Sequence, residues 1–227
     1  MSFPPLAVVI AAINEEEGIG PTICELKNTL NEPYLVVVDG KSSDKTGEIA
    51  KDLGVNLLIQ KGKGKGSAIS QGLSQLDEKT SYVILTDADY TYPAKYITEM
   101  IGVLEDEPNV GMVLGDRFSN RYEFDSDINQ FYIGNKILAF THNVLNDVKL
   151  NDPLTGLRVI RNDLLNDWQP KSKGFGIETE LNYLIERMGY KIVEIPISYR
   201  KRLGKKKLGF RHGIKIFRRI IIESILD

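Results

Sequence analysis

Residues 82–105 read YVILTDADYTYPAKYITEMIGVLE. An unbroken apolar run stops at Asp87, a second aspartate follows at Asp89, and from Pro93 onward apolar residues recur at helical spacing. Proline suits the first turn of a helix, so a helix is expected to start there. A strand that is apolar on both faces cannot lie against water. Followed by an amphipathic helix, it reads as one βα unit of a parallel sheet with helices packed on both faces.

The same pattern extends in both directions. Strands are expected at 6–12 (LAVVIAA), 34–39 (YLVVVD), 55–60 (VNLLIQ) and 110–116 (VGMVLGD). Helices are expected over 14–30, interrupted near Gly20-Pro21, over 42–54, where Ser42 or Ser43 could act as the cap, and over 67–76. The second half is less regular. It reads as a long helix at 128–146, a strand at 155–161, a helix at 176–189, a strand at 190–200 and a last helix at 209–226.

Composition limits the alternatives. The 227 residues are 42% hydrophobic and 26% charged, and no apolar run reaches membrane-spanning length. One cysteine, Cys24, and two histidines leave neither an internal disulfide nor a zinc-type cluster, so a cytoplasmic setting is expected. The N-terminal apolar run stops at Asn14 without a basic stretch before it and reads as a strand rather than a signal peptide. The net charge of −2 is unevenly distributed: residues 200–227 hold ten Lys and Arg against Glu223 and Asp227, leaving an acidic body and a basic end. Residues 1–199 are read as the catalytic unit and 200–227 as a basic amphipathic extension of the same compact body. Leu208, Phe210, Ile214, Phe217, Ile221 and Ile225 fall on one helical stripe in it, suited to a membrane surface, to a partner's membrane helix or to the domain's own core.

Open parallel sheets bind ligands at the carboxyl ends of their strands. Asn14 and Glu15 follow the first strand, Asp39 ends the second, Asp87 and Asp89 end the fourth, and Asp116-Arg117 ends the fifth. On extended chain Asp87 and Asp89 would lie about 6.6 Å apart on one side, a spacing that lets two carboxylates share a divalent cation. Asp39 could accept hydrogen bonds from a base or ribose. The segment QKGKGKGSAI (60–69) matches neither a P-loop nor a dinucleotide fingerprint, but its glycines would let backbone approach a ligand, with Lys63 or Lys65 near phosphate. Asp152, Thr155 and Arg158 surround a turn, and Glu178 and Glu180 read as first-turn helix acids.

In this order, AAINEEEGI, VVVDGKSSDKTGEIA, QKGKGKGSAI, VILTDADYTYP, VLGDR, DPLTGLRVIR and YRKRLGKKKLGFRHG resemble the family-2 glycosyltransferases, above all the polyprenyl-phosphate (dolichol-phosphate) mannosyl- and glucosyltransferases. The resemblance runs from residue 6 to about 215. It implies a GT-A fold, a Rossmann-like α/β architecture for nucleoside-diphosphate sugars, with Mg2+ or Mn2+ at Asp87 and Asp89. The implied reaction is inverting transfer of a hexose from a GDP-mannose or UDP-glucose type of donor to a polyprenyl phosphate. By position, Ala11, Ile13, Asn14, Glu15 and Asp39 would line the nucleoside pocket, and Lys65 would approach the donor. Asp87, Ala88 and Asp89 would serve metal and diphosphate, Arg117 would face the acceptor phosphate, and Arg200, Lys201 and Arg202 would approach phosphates from the far side. Lys136 stands near where a second acceptor arginine is expected, and Thr91 stands where relatives often carry glutamine.

The expected partners are the sugar nucleotide, the lipid phosphate, and a membrane surface or membrane protein at the cytoplasmic face, with no nucleic acid; the non-enzyme alternative is a nucleotide- or nucleic-acid-binding module using the basic end of the chain. A hydroxyl acceptor would instead require a general base, with Asp152 the first candidate. A sugar-nucleotide pyrophosphorylase would carry a glycine-rich loop after the first strand, which AAINEEEGIG does not supply.

Overall fold

Runs of Val, Ile and Leu with no polar alternation are buried on both faces, and they form the middle of one sheet. The structure, a computed structural model, describes residues 5–119, 129–146, 148–205 and 210–225. In chain order the elements are β1 (Leu6–Ala12), α1 (Ile19–Thr29), β2 (Tyr34–Asp39), α2 (Thr46–Asp52), β3 (Asn56–Ile59), α3 (Lys65–Leu73), β4 (Tyr82–Asp87) and α4 (Lys95–Asp106). They continue as β5 (Val110–Asp116), α5 (Asn129–Asn146), β6 (Arg158–Arg161), a 3-10 turn (Asn162–Leu165), α6 (Ile177–Arg187), β7 (Lys191–Pro196) and α7 (Phe210–Ile225). The sheet has seven strands in the order β3-β2-β1-β4-β6-β5-β7. All pairings are parallel except those of β6, which runs antiparallel to β4 and β5. The expected α/β architecture with a mostly parallel sheet is the observed one.

Two apolar layers flank the sheet. Val8 and Ile10 pack with Ile19 and Ile23 of α1 and Met100 and Leu104 of α4, while Val9, pointing the other way, packs with Ile69 of α3 and Leu181 of α6. A smaller cluster joins α5 and α7 through Leu138, Ile216 and Ile220.

Several local expectations are corrected. The first helix is not interrupted: it begins at Ile19, so Pro21 lies in the first turn, where the missing N–H has no intrahelical partner to lose. The helix α4 starts at Lys95, two residues after Pro93. Neither Ser42 nor Ser43 caps α2, whose cap residue is Lys45. The antiparallel direction of β6 was not legible, because RVIR reads alike in either direction. It matters for function: running against β4, β6 brings the loop that precedes it, rather than the one that follows, to the carboxyl edge of the sheet.

One titratable group on this framework is poorly provided for. Glu186, on α6, has Oε1 buried without a hydrogen-bond partner, and burial pushes its carboxyl up to about 7 despite the neighbouring charge of Arg187. The unfolded chain ionises this group near 4.5 while the folded chain keeps it protonated until about 7. The native state therefore holds the extra proton, and stability falls as pH rises through that window, then levels off above it. Glu186→Gln is expected to remove its share of the decline, at most ~1.4 kcal/mol per pH unit, leaving the share of Glu194, which burial also pushes up to about 7. Urea midpoints of both proteins between pH 4.5 and 8 check this; parallel curves would refute it.

Candidate active site

Strand register brings the predicted edge together. Ala11 of β1 pairs with Val38 on one side and Asp87 on the other, and Ala12 pairs with Asp39. β1, β2 and β4 thus end level, and β1 sits where the chain order reverses, the usual ligand crevice of such sheets. Asp116 lies opposite Pro196, so the segments after β5 and β7 leave by the same edge.

The acid pair is shaped by a turn rather than by extended chain, since β4 stops at Asp87. Tyr90 takes φ +64°, a left-handed conformation that is uncommon for a bulky residue. The turn aims the Thr91 N–H (3.2 Å) and hydroxyl (2.6 Å) at Asp89 Oδ1. Asp87 gives Oδ1 to Lys65 Nζ at 2.7 Å, and the same ammonium reaches Glu178 Oε1 at 2.7 Å. Burial favours a protonated carboxyl at both aspartates. Lys65 overrides this at Asp87, whose pKa is lowered, whereas the charge of Asp87 adds to it at Asp89, whose pKa is raised. Lys65 is pushed the other way: burial favours its neutral amine, but Asp87 and Glu178 hold it charged.

Two glycines make room for the pair. A Cβ at Gly18 would fall 2.6 Å from the Ala88 carbonyl oxygen and 2.7 Å from Asp89 Cα, and one at Gly156 would fall 2.5 Å from Asp87 Oδ2. Gly156 also donates its N–H to Tyr92 Oη at 2.7 Å.

The expected cations divide into different roles. Arg202 binds Glu15 at 2.8 and 3.0 Å and comes within 3.6 Å of Asp89 Oδ2. It is carried there by a strap hydrogen-bonded to the acid turn, Arg200 N–H to the Thr91 carbonyl and Leu203 N–H to the Asp89 carbonyl, both at 3.0 Å. A division of the chain at residue 200 would therefore cut through the site. Arg200 does not point at this centre: it forms a bidentate pair with Glu25 (2.6 and 2.7 Å) and stacks on the Tyr90 ring at 4.3 Å. Lys201 is exposed. Arg117 clasps Asp152 through Nε and Nη2 at 2.6 and 2.7 Å, with its backbone N–H on the same carboxylate at 3.1 Å. Both oxygens of Asp152, the first candidate for a base if the acceptor were a hydroxyl, are engaged in holding Arg117. Glu194 in turn accepts the Asn151 and Asp152 N–H groups, each at 2.6 Å. Lys136, on α5, reaches the Asn151 carbonyl at 3.3 Å and lies over the Phe118 ring.

On the side of β1 and β2, Asp39 accepts the Ser42 N–H at 3.2 Å and its hydroxyl. Ser42 Oγ accepts the Asn14 N–H (2.8 Å), and Asn14 Oδ1 accepts the Ser43 N–H (2.7 Å). These serines tie two loops together instead of capping a helix. Ile13 and Asn14 are exposed, Ala11 is half-buried, and Ala88 lies buried between the two aspartates. The glycine-rich loop is also corrected. Gly64 and Gly66 press against the backbone of Ser172 and Lys173, not toward the crevice, and Lys63 points to solvent while Lys65 turns inward.

A family model described as glycosyl transferase family 2 matches residues 7–168. The chain belongs to that family. Among relatives, a dolichyl-phosphate hexose transferase of Haloferax volcanii is 34% identical, covering 97% of this chain and 94% of its own. The glycosyltransferase AglJ of the same organism is 30% identical over 87% of this chain and 63% of its own. Among solved structures, glucosyl-3-phosphoglycerate synthase from Mycobacterium tuberculosis, in complex with Mn2+, UDP-glucose and phosphoglyceric acid, superposes with a TM-score of 0.77 at 18% identity, covering 99% of this chain and 81% of that one. The fold is thus the GT-A fold of nucleotide-sugar enzymes.

In this family-2 glycosyltransferase, sequence reasoning missed Glu178 as a neighbour of the acid pair through Lys65, while Thr91, noted there for its place after Asp89, is found to be that carboxylate's donor. Glu178 looked like an ordinary first-turn acid, and its partner Lys65 is remote in the chain. The signal available in the sequence was its place at helical spacing from Leu181 and Ile185, on the apolar side of the helix.

Gly156→Ala is expected to push the Asp87 carboxylate aside without unfolding the chain, lowering turnover by roughly 10- to 100-fold, the usual effect of an ångström-scale misplacement. Steady-state transfer rates measured beside thermal melts check it; unchanged rates would mean the close approach to Asp87 is irrelevant.

Proposed function

We propose that the chain catalyses inverting transfer of a hexose from a nucleoside diphosphate sugar to a polyprenyl phosphate. The observation that carries this reading is the Arg117–Asp152 clasp. The carboxylate best placed to serve as a base is committed to an arginine, and the site is rich in cations instead. A phosphate monoester is largely dianionic at pH 7 and attacks without losing a proton, so its needs are positioning and charge neutralisation. A bond forms between the phosphate oxygen and the anomeric carbon, the bond to the diphosphate breaks, and no proton has to move. The near full-length similarity to a dolichyl-phosphate hexose transferase supports the same acceptor. A hydroxyl acceptor is less well served, because its proton would need a carboxylate not already clasped.

The residues present suit a divalent cation. Asp87 and Asp89 repel each other, and each has one oxygen engaged by a protein donor. Among the described residues no three His, Cys, Asp or Glu side chains could hold a metal on their own, so substrate oxygens and water would complete the shell, as is usual for Mg2+. Bound there, Mg2+ or Mn2+ would neutralise charge on the departing diphosphate. The chain's own contributions are separate. Asp39 and the Asn14–Ser42 loop face the nucleoside, Lys65 and Arg202 stand beside the acids where phosphates would lie, and Arg117, with Lys136 behind it, faces the acceptor. A polyprenyl chain is embedded in lipid, so this reading also requires a peripheral encounter with a membrane.

The test is a donor panel of UDP- and GDP-hexoses with Mn2+ or Mg2+ and a polyprenyl phosphate, read as glycolipid formed. Product is expected from the phosphate and not from the free polyprenol, with loss of at least 100-fold on EDTA treatment or in Asp89→Asn, whose melting temperature should be unchanged. Full activity in EDTA would remove the metal from the proposal, and equal use of polyprenol would overturn the acceptor.

A further inference from the structure

The outer faces of α5 and α7 are apolar although nothing covers them among the described residues. On α5, Ile133, Ile137, Phe140 and Val144 follow at spacings of four, three and four and are all exposed, Phe140 by 70%. Leu138, Ala139 and His142, on the opposite side of the helix, are buried. On α7, Ile214, Phe217, Ile221 and Ile225 repeat the pattern, with Ile225 74% exposed and Ile216, Ile220 and Glu223 buried behind. Both helices turn their buried sides toward α6, His142 meeting the Tyr183 ring edge-on at 5.5 Å and the Ile220 carbonyl accepting from Tyr183 Oη at 3.0 Å, and they touch each other through Leu138, Ile216 and Ile220, so the two stripes face the same way. Two exposed stripes of this length exceed what a solvated helix pair needs, and they mark an interaction surface.

Charge decides between occupants. Residues 129–146 contain one charged side chain, Lys136, and no acid. Among the described side chains of α7 the exposed charges are Lys215 and Arg218, while Glu223 is buried against Arg187 and Arg219. A second copy of this chain would set these cations against their own counterparts, whereas an anionic surface complements them. Position points the same way: the helix that presents Phe140 outward also carries Lys136 to the Asn151 carbonyl, next to the Arg117–Asp152 clasp.

We infer that the α5–α7 face docks on an anionic lipid surface and thereby sets the acceptor side of the site against the bilayer; this rests on the lipid-phosphate reading above. The apolar side chains would enter the headgroup boundary, with the flanking cations on lipid phosphates. Of the stripe expected from the sequence, Leu208 and the side chain of Phe210 lie outside the described residues. The stripe on α5 was not expected, because Ile137 and Phe140 read equally well as core.

The experiment is co-sedimentation of the full chain with vesicles of phosphatidylcholine, alone or with one-third phosphatidylglycerol, at low salt. It compares the wild type with Phe140→Asp/Phe217→Asp and with Lys215→Gln/Arg218→Gln. All of these positions are solvent-exposed, and melting curves verify folding. The wild type is expected on the anionic vesicles. The apolar-face variant should lose at least tenfold in partition, and the charge variant roughly fivefold per cation. Transfer to a short, water-soluble polyprenyl phosphate should be unchanged in both variants, with transfer to a long-chain acceptor in vesicles reduced. A wild type that ignores anionic vesicles, binds neutral ones equally, or forms a dimer that the apolar-face variant dissolves would overturn the inference. Vesicle binding that the variants lose, without transfer to any polyprenyl phosphate, would uphold the docking face and overturn the acceptor reading instead.

Discussion

Two carboxylates separated by a single residue repel each other, and the site is organised around that repulsion. Lys65 answers it from one side and Arg202 from the other, while Thr91 supplies two donors to Asp89. Because Lys65 also binds Glu178, one ammonium links α3, β4 and α6. Such a buried charge is tolerable only when its partners are fixed, and fixing them requires close backbone approach. Gly18, Gly156 and the glycines of the loop before α3 provide that approach at the points where any side chain would intrude.

The same constraint accounts for part of the charge asymmetry. Arg200, Arg202 and Arg219, from the basic end of the chain, pair with Glu25, Glu15 and Glu180 of the acidic body. The extension is thus held to the domain by ion pairs, of which that of Arg202 also stands at the acid pair. Lys215 and Arg218 have no such inward role and face outward beside apolar side chains. Cations of one short segment thereby serve two surfaces, one toward the acid pair and one away from the body.

Arg117 and its surroundings show how much arrangement stands behind a single guanidinium. Asp152 orients it, Glu194 holds the backbone of Asp152, and buried Arg158 fixes the same loop through the Pro153 and Thr155 carbonyls (2.6 and 3.0 Å) and Asn182 (2.6 Å). Burial lowers the pKa of Arg158 to about 10, yet the guanidinium remains a donor at neutral pH, and its three acceptors explain why it is kept there. These contacts position a cation rather than supply one.

What the sequence determined by itself is the α/β layering, the level ends of the parallel strands and the gathering of Asp39, Asp87, Asp89 and Asp116 at one edge. Apolar runs buried on two faces admit few other arrangements, and ligands meet such sheets at the carboxyl end. Hydrophobic periodicity is local and survives in the sequence; pairing partners are not, and do not. Only the tertiary structure decided that β6 runs antiparallel, that Arg200 and Arg202 part company, that Asp152 clasps Arg117, and that Glu178 meets Lys65. The first is a matter of backbone pairing between strands far apart in the chain; the other three depend on which distant carboxylate comes within about 3 Å of a given cation, and that distance is set by how the helices and loops settle on the sheet.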